Sequence, residues 1–189
     1  MARKIRTFIA VDIPDSIREK IARLQAKLKE KKANVKWVRP QTIHITLKFL
    51  GDVEEERIDE IGEAIERAVK GFQPFTAFVG GAGRFPNDRK PRVLWVGVKK
   101  GGNALSELAD RIENECAQLG FEKGKRKYSA HLTLGRVRSS KNIGSVVEAM
   151  NSMEFEGGFF EASEVLIMKS DLKPTGAVYT VLKKIKLQG

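Results

Sequence analysis

The chain of 189 residues contains two histidines, and each opens the same pattern: His44-Ile45-Thr46-Leu47 and His131-Leu132-Thr133-Leu134. In an extended strand, side chains two apart share one face at a spacing of roughly 7 Å. His44 therefore stands with Thr46, and His131 with Thr133, while the aliphatic residue between them points the other way. A free imidazole titrates near ~6.5, so two of them offer an acid and a base close to neutral pH. In-line displacement at phosphorus needs such a pair, because the nucleophile enters opposite the leaving oxygen and one side chain cannot serve both. The threonine hydroxyls can donate to the non-bridging oxygens between them. A single histidine on a strand is often structural. Nothing in folding, however, requires both histidines to choose the same setting.

Other chemistries fit less well. A zinc site wants three or four ligands at characteristic spacing. The chain offers its two histidines and one cysteine, Cys116 on an apolar helical stripe, and no HExxH or Cys-x-x-Cys. No Gly-x-Ser-x-Gly elbow is present, and a serine triad would leave the second histidine without a role. The stretch Gly80-Gly81-Ala82-Gly83 lacks the Lys-Ser/Thr and following helix of a phosphate loop. No metal and no cofactor are expected.

The elements that must carry these motifs follow from periodicity. Residues 5–13 alternate as a strand, with Arg6, Phe8, Ala10 and Asp12 on one side. Pro14-Asp15-Ser16 starts a helix with Ile17, Ile21, Leu24 and Leu28 as its apolar stripe. Val35–Val38 is a short strand, and the first motif strand follows, ended by Gly51-Asp52. Asp52 and Glu55 have the spacing of a capping box for a second helix bearing Ile58, Ile61, Ile65 and Val69. Strands are expected at 75–79 and 92–98, with residues 80–87 as a loop or bulge. Asn103 caps a third helix with Leu105, Leu108, Ile112 and Cys116. The second motif strand, a short helix from Asn142, and strands at 159–168 and 178–187 complete the chain. Helix, turn, His-x-Thr strand and helix occur twice. Strands and helices mixed, with hairpin-length connections, indicate an α+β fold with largely antiparallel sheets.

The net charge is +11, from 35 Lys and Arg against 24 Asp and Glu. Such an excess favours a polyanionic partner and steers phosphates to the surface. The N-terminus has no signal-peptide pattern, and no apolar run approaches the ~20 residues of a membrane span. A cytoplasmic protein with no membrane association is expected. The residues alone thus indicate a metal-independent phosphoester enzyme acting on RNA-like substrates.

The paired motifs resemble the HxTx signature of the 2H phosphoesterase superfamily, and within it the RNA 2′,3′-cyclic phosphodiesterases, also called 2′-5′ RNA ligases. The resemblance extends through Arg6–Asp12, His44–Gly51, Gly81–Pro86, Arg92–Trp95, Leu134–Arg136, and Lys169-Ser170 with Gly176 and Tyr179. It implies one domain over residues 1–189, with two pseudo-two-fold-related lobes that each bring one motif to a central cleft; a monomer is expected. It implies hydrolysis of RNA or nucleotide 2′,3′-cyclic phosphate ends to 2′-phosphates. His44 is then the proton donor and His131 the proton acceptor, with Thr46 and Thr133 on the phosphate. Ala130 replaces the proline that often precedes the second histidine. Two alternatives stand beside this: reversible ATP-independent 2′-5′ ligation, and a non-catalytic basic RNA-binding module. Arg136 is a substrate-binding candidate if Gly135 sits at a bulge or strand end, and a solvated arginine otherwise. Trp37, Phe8 and Tyr128 are base-stacking candidates, with core packing the favoured reading.

Overall fold

In the computed structural model, described over residues 2–189, the chain forms nine strands and four α-helices. Its first half runs β1 (Lys4–Val11), α1 (Asp15–Lys29), β2 (Val35–Trp37), β3 (Ile45–Glu54), α2 (Ile58–Val69) and β4 (Phe75–Phe85). Its second runs β5 (Val93–Lys100), α3 (Gly102–Gln118), β6 (His131–Val137), α4 (Ile143–Ser152), β7 (Glu156–Ala162), β8 (Glu164–Lys173) and β9 (Gly176–Lys186). All strand pairs within the sheets are antiparallel. One sheet has the order β3-β1-β8-β9 and the other β2-β6-β5-β4-β7. The two halves thus repeat a strand–helix–strand–helix order, and each motif strand lies next to the first strand of its own half.

Helices are exchanged between the lobes. α1 leaves the first sheet and packs by β7 and α4, whereas α3 leaves the second sheet and packs on α2 and β3. The expected apolar stripes do this work: Ile17, Ile21, Leu24 and Leu28 of α1, and Leu105, Leu108, Ile112 and Cys116 of α3, are buried. Burial of each such aliphatic side chain contributes about 1.5–3 kcal/mol before the entropy cost of ordering it. Because the helices cross over, both sheets share one continuous hydrophobic core. Among the described residues, no helix is long and apolar enough to cross a membrane.

Several element boundaries differ from the sequence reading. β3 continues past Gly51-Asp52 to Glu54, and a 3-10 turn at Glu55–Arg57 precedes α2, so Asp52 caps nothing. Gly101, at φ 81°, precedes α3, and Asn103 lies inside that helix. Residues 80–85 stay in β4, which absorbs its glycines as bulges against β5 and β7. The apolar run from Phe159 divides at Ser163 into β7 and β8, which belong to different sheets. Continuous hydrophobicity cannot show such a change of sheet.

Candidate active site

The two motif strands share a local irregularity. In β3, Ala10 faces Thr46 and Ile9 faces Lys48, which leaves Leu47 as an extra residue. In β6, Trp95 faces Thr133 and Leu94 faces Gly135, which leaves Leu134 as an extra residue. Each motif therefore ends in a β-bulge at its leucine. A bulge reverses the alternation beyond it. Phe49 consequently shares a face with Thr46 and Phe8, and Arg136 shares a face with Thr133, Trp95 and Val93. Lys48 turns to the helix side, where its buried ammonium donates to Glu113 Oε1 at 2.6 Å and to the Glu122 carbonyl at 2.9 Å.

Both imidazoles are held the same way. His44 Nδ1 lies 2.8 Å from the Thr42 carbonyl, and His131 Nδ1 lies 2.7 Å from the Ser129 carbonyl. A carbonyl only accepts, so each Nδ1 carries the proton, and each Nε2 is the atom left for chemistry. His44 Nε2 meets Thr46 Oγ1 at 2.8 Å. Phe8 stacks on His44 at 4.7 Å and Tyr179 meets it edge-on at 5.2 Å. Phe85 meets His131 edge-on at 5.1 Å, with Trp95 at 6.4 Å.

Backbone contacts fix the approach to His44. Arg18 of α1 donates to the Ile43 carbonyl at 3.1 Å and also pairs with Asp12. Tyr128 donates to the Thr46 carbonyl at 3.0 Å. β2 adds itself to the second motif strand, Trp37 opposite Gly135, and the chain then turns directly into the first motif. The two motifs are thus tied together within a few residues of both histidines.

His44, Thr46, His131, Thr133 and Arg136 all line one cleft of about 1460 Å³. Arg6, Lys36 and Arg136 also line it, and none of the three forms an ion pair among the described residues. Lys36 stands directly opposite Arg136 in the β2–β6 register. Like charges so placed repel, and a bound anion relieves them. Burial lowers the His44 pKa; its hydrogen bond to Thr42 and the charge of Asp12 oppose this, and Arg18 adds to it. Burial raises the Tyr179 hydroxyl, against the pull of Arg136, Arg6 and Arg39. No group of three or more His, Cys, Asp or Glu with metal-ligand geometry occurs among the described residues.

Of the stacking candidates, Phe8 is 2% exposed and packs against His44, and Tyr128 is held by its hydrogen bond to Thr46. Trp37 packs against Gly135. Of the aromatic residues that line the cleft, Phe49 is the most open, at 61% exposed. Strict alternation puts Phe49 on the wrong face, and only the bulge reveals it.

His44, Thr46, His131 and Thr133 thus bring two imidazoles and two hydroxyls to one cationic cleft. The chain belongs to the LigT-like phosphoesterase family, whose model matches it twice, over residues 11–95 and 96–179. Each match contains one motif, in keeping with the repeated element order of the two halves. Two similar proteins are named RNA 2′,3′-cyclic phosphodiesterase. The one from Methanothermobacter thermautotrophicus is 37% identical, covering 97% of this chain and 100% of its own. The one from Archaeoglobus fulgidus is 39% identical, covering 95% and 98%. Among solved structures, a Thermus thermophilus protein superposes with a TM-score of 0.81 at 28% identity, over 97% and 98% of the two chains. Escherichia coli LigT complexed with 3′-AMP gives 0.79 at 26% identity, over 99% and 100%.

Proposed function

We propose that this enzyme hydrolyses the 2′,3′-cyclic phosphate ends of RNA to 2′-phosphates without a metal ion. The observation that carries the reading is the matched pair of histidines: each Nδ1 donates to a carbonyl two residues back, which leaves each Nε2 for the shared cleft. The names of the similar proteins support the substrate class. On this reading residues 1–189 act as one domain whose lobes each supply one motif.

His131 Nε2 takes a proton from water as its oxygen attacks phosphorus. The P–O3′ bond breaks on the opposite side, and His44 Nε2–H gives its proton to O3′. The product is a 2′-phosphomonoester with a free 3′-hydroxyl. Thr46 and Thr133 donate to the non-bridging oxygens, and Arg136 faces the same charge. Burial disfavours protonated His44 in the free enzyme, whereas a phosphate anion beside it favours the proton. Phe49 offers its open ring to the base of the terminal nucleotide. The test is product identification by phosphorus NMR on a cyclic-phosphate oligonucleotide in EDTA. A 2′-phosphate is expected; a 3′-phosphate, or turnover only with added metal, contradicts the reading.

A second reading, ATP-independent 2′-5′ ligation, replaces water with a 5′-hydroxyl. The observation favouring it is the unpaired Lys36–Arg136 couple on the His131 side, which could hold the incoming strand's phosphates. Incubation of cyclic-phosphate and 5′-hydroxyl RNA halves yields a 2′-5′ linkage if it holds, and none if it does not.

A further inference from the structure

β1 and β8 pair only as far as Thr7 and Lys169. Beyond these residues the strands part, and a notch of about 360 Å³ opens between Arg3, Lys4 and Arg6 on one side and Ser170 and Leu172 on the other. Arg6, Ser170 and Leu172 also line the catalytic cleft, so the notch continues it. The parted edges leave backbone donors and acceptors without strand partners.

The notch has the features of a nucleic-acid track. Lys4, Arg6 and Phe8 alternate onto one face of β1, at steps of roughly 6–7 Å. Phe8 stacks on His44, so this row leads outward from the imidazole. Lys4 and Arg6 form no ion pair among the described residues, whereas Arg3 lies 3.7 Å from Glu55 and Lys169 lies 3.1 Å from Asp171. Asp52 and Asp171 are the carboxylates on the notch. Leu172 is 71% exposed, an apolar wall opposite Lys4 and Arg6, which face Glu54 and Asp52 across the β1–β3 register without an ion pair among the described residues. Cations beside an open apolar surface suit a single strand, phosphate on one and base on the other.

We propose that this notch binds the nucleotide preceding the cyclic-phosphate terminus of a single-stranded RNA, with its phosphate on Arg6 and Lys4 and its base against Leu172. The inference rests on the assignment of His44 as proton donor. The leaving O3′ belongs to the terminal ribose, so that ribose and the strand attached to it lie on the His44 side, where β1 runs. An exit past the basic run at Lys123–Lys127 is opposed by its surroundings. Lys123 is engaged by Asn114 at 2.6 Å, and Asp110 and Glu122 line that end of the cleft beside Arg126 and Lys127.

The test compares dissociation constants for a 2′-phosphorylated mononucleotide and for the dinucleotide ending in it, alongside kcat/KM on the two cyclic forms. The dinucleotide is expected to bind roughly tenfold tighter, with an advantage that shrinks as salt rises. Lys4→Ala, at an exposed position, should remove about fivefold of that advantage and leave mononucleotide affinity unchanged. Leu172→Ser should weaken the dinucleotide more than the mononucleotide. Equal affinities for the two ligands in the wild type overturn the proposal. So does an advantage lost in Lys125→Ala/Lys127→Ala and kept in Lys4→Ala. Failure to turn over either cyclic form refutes the acid–base reading instead, and the ratio of affinities still decides the notch.

Discussion

Gln25 reaches from α1 to the carbonyl of Leu134, the extra residue of the second motif's bulge, with Nε2 2.9 Å from that oxygen. The same amide donates to the Val38 carbonyl at 2.8 Å, and Val38 N–H itself donates to Leu134 O at 2.9 Å. Gln25 is 1% exposed, so no bulk water replaces it. The side chain stabilises the irregularity that turns Arg136 toward the cleft. Gln25→Leu leaves the Val38 carbonyl without that donor, at a cost of about 1–3 kcal/mol, offset in part because the buried Gln25 Oε1 that it removes has no partner. Urea denaturation should show that loss, and KM should rise as Arg136 loses its fixed direction. An unchanged midpoint would show that the bulge holds without Gln25.

Thr46→Val keeps the shape of the side chain and removes the hydroxyl 2.8 Å from His44 Nε2. Because the hydroxyl serves the phosphate as well, kcat should fall roughly 10²-fold. The melting temperature should move little, since the site is half-buried. A comparable fall for Thr133→Val would show that the lobes contribute alike.

The pKa of His44 is depressed, with burial as the main cause. The unfolded chain then binds more protons than the folded one between that lowered value and about 6.5. Stability is complete above this window and declines as pH falls through it. A melting-temperature series should show the decline, and His44→Gln should flatten it. The same group tests the proton assignment. If His44 donates, kcat/KM falls with rising pH from a midpoint below 6.5 in the free enzyme. A rise through that midpoint would make His44 the base.

Phe49→Ala should weaken nucleotide binding by about 1–3 kcal/mol, the usual contribution of a stacked base, with little change in stability because the ring is 61% exposed. Phe8→Ala should behave oppositely: its ring is 2% exposed and stacks on His44, so truncation costs about 3–5 kcal/mol of stability. Affinity and denaturation measured on both variants separate the two roles.

Much of this site was legible in the residues. The identical settings of His44 and His131 directed attention to one chemistry, and period-two alternation paired each with its threonine. The position of Arg136 was legible only on the condition of a bulge or strand end at Gly135, and that of Phe49 was not legible at all. Each depends on a single extra residue, Leu134 or Leu47, and a bulge has no signature in hydrophobic periodicity. The helix stripes predicted the core but not its connectivity. Only tertiary packing shows that α1 and α3 cover sheets other than those they follow. The division of one apolar run at Ser163 was hidden for the same reason.

The most direct measurement is turnover of a cyclic-phosphate RNA end, in EDTA, by the wild type and by His44→Ala and His131→Ala variants whose circular dichroism and melting curves are native. Each substitution should lower kcat at least about 10²-fold, since general acid and general base each contribute roughly 10²–10⁴. Turnover within tenfold of the wild type in either folded variant would contradict the two-histidine account.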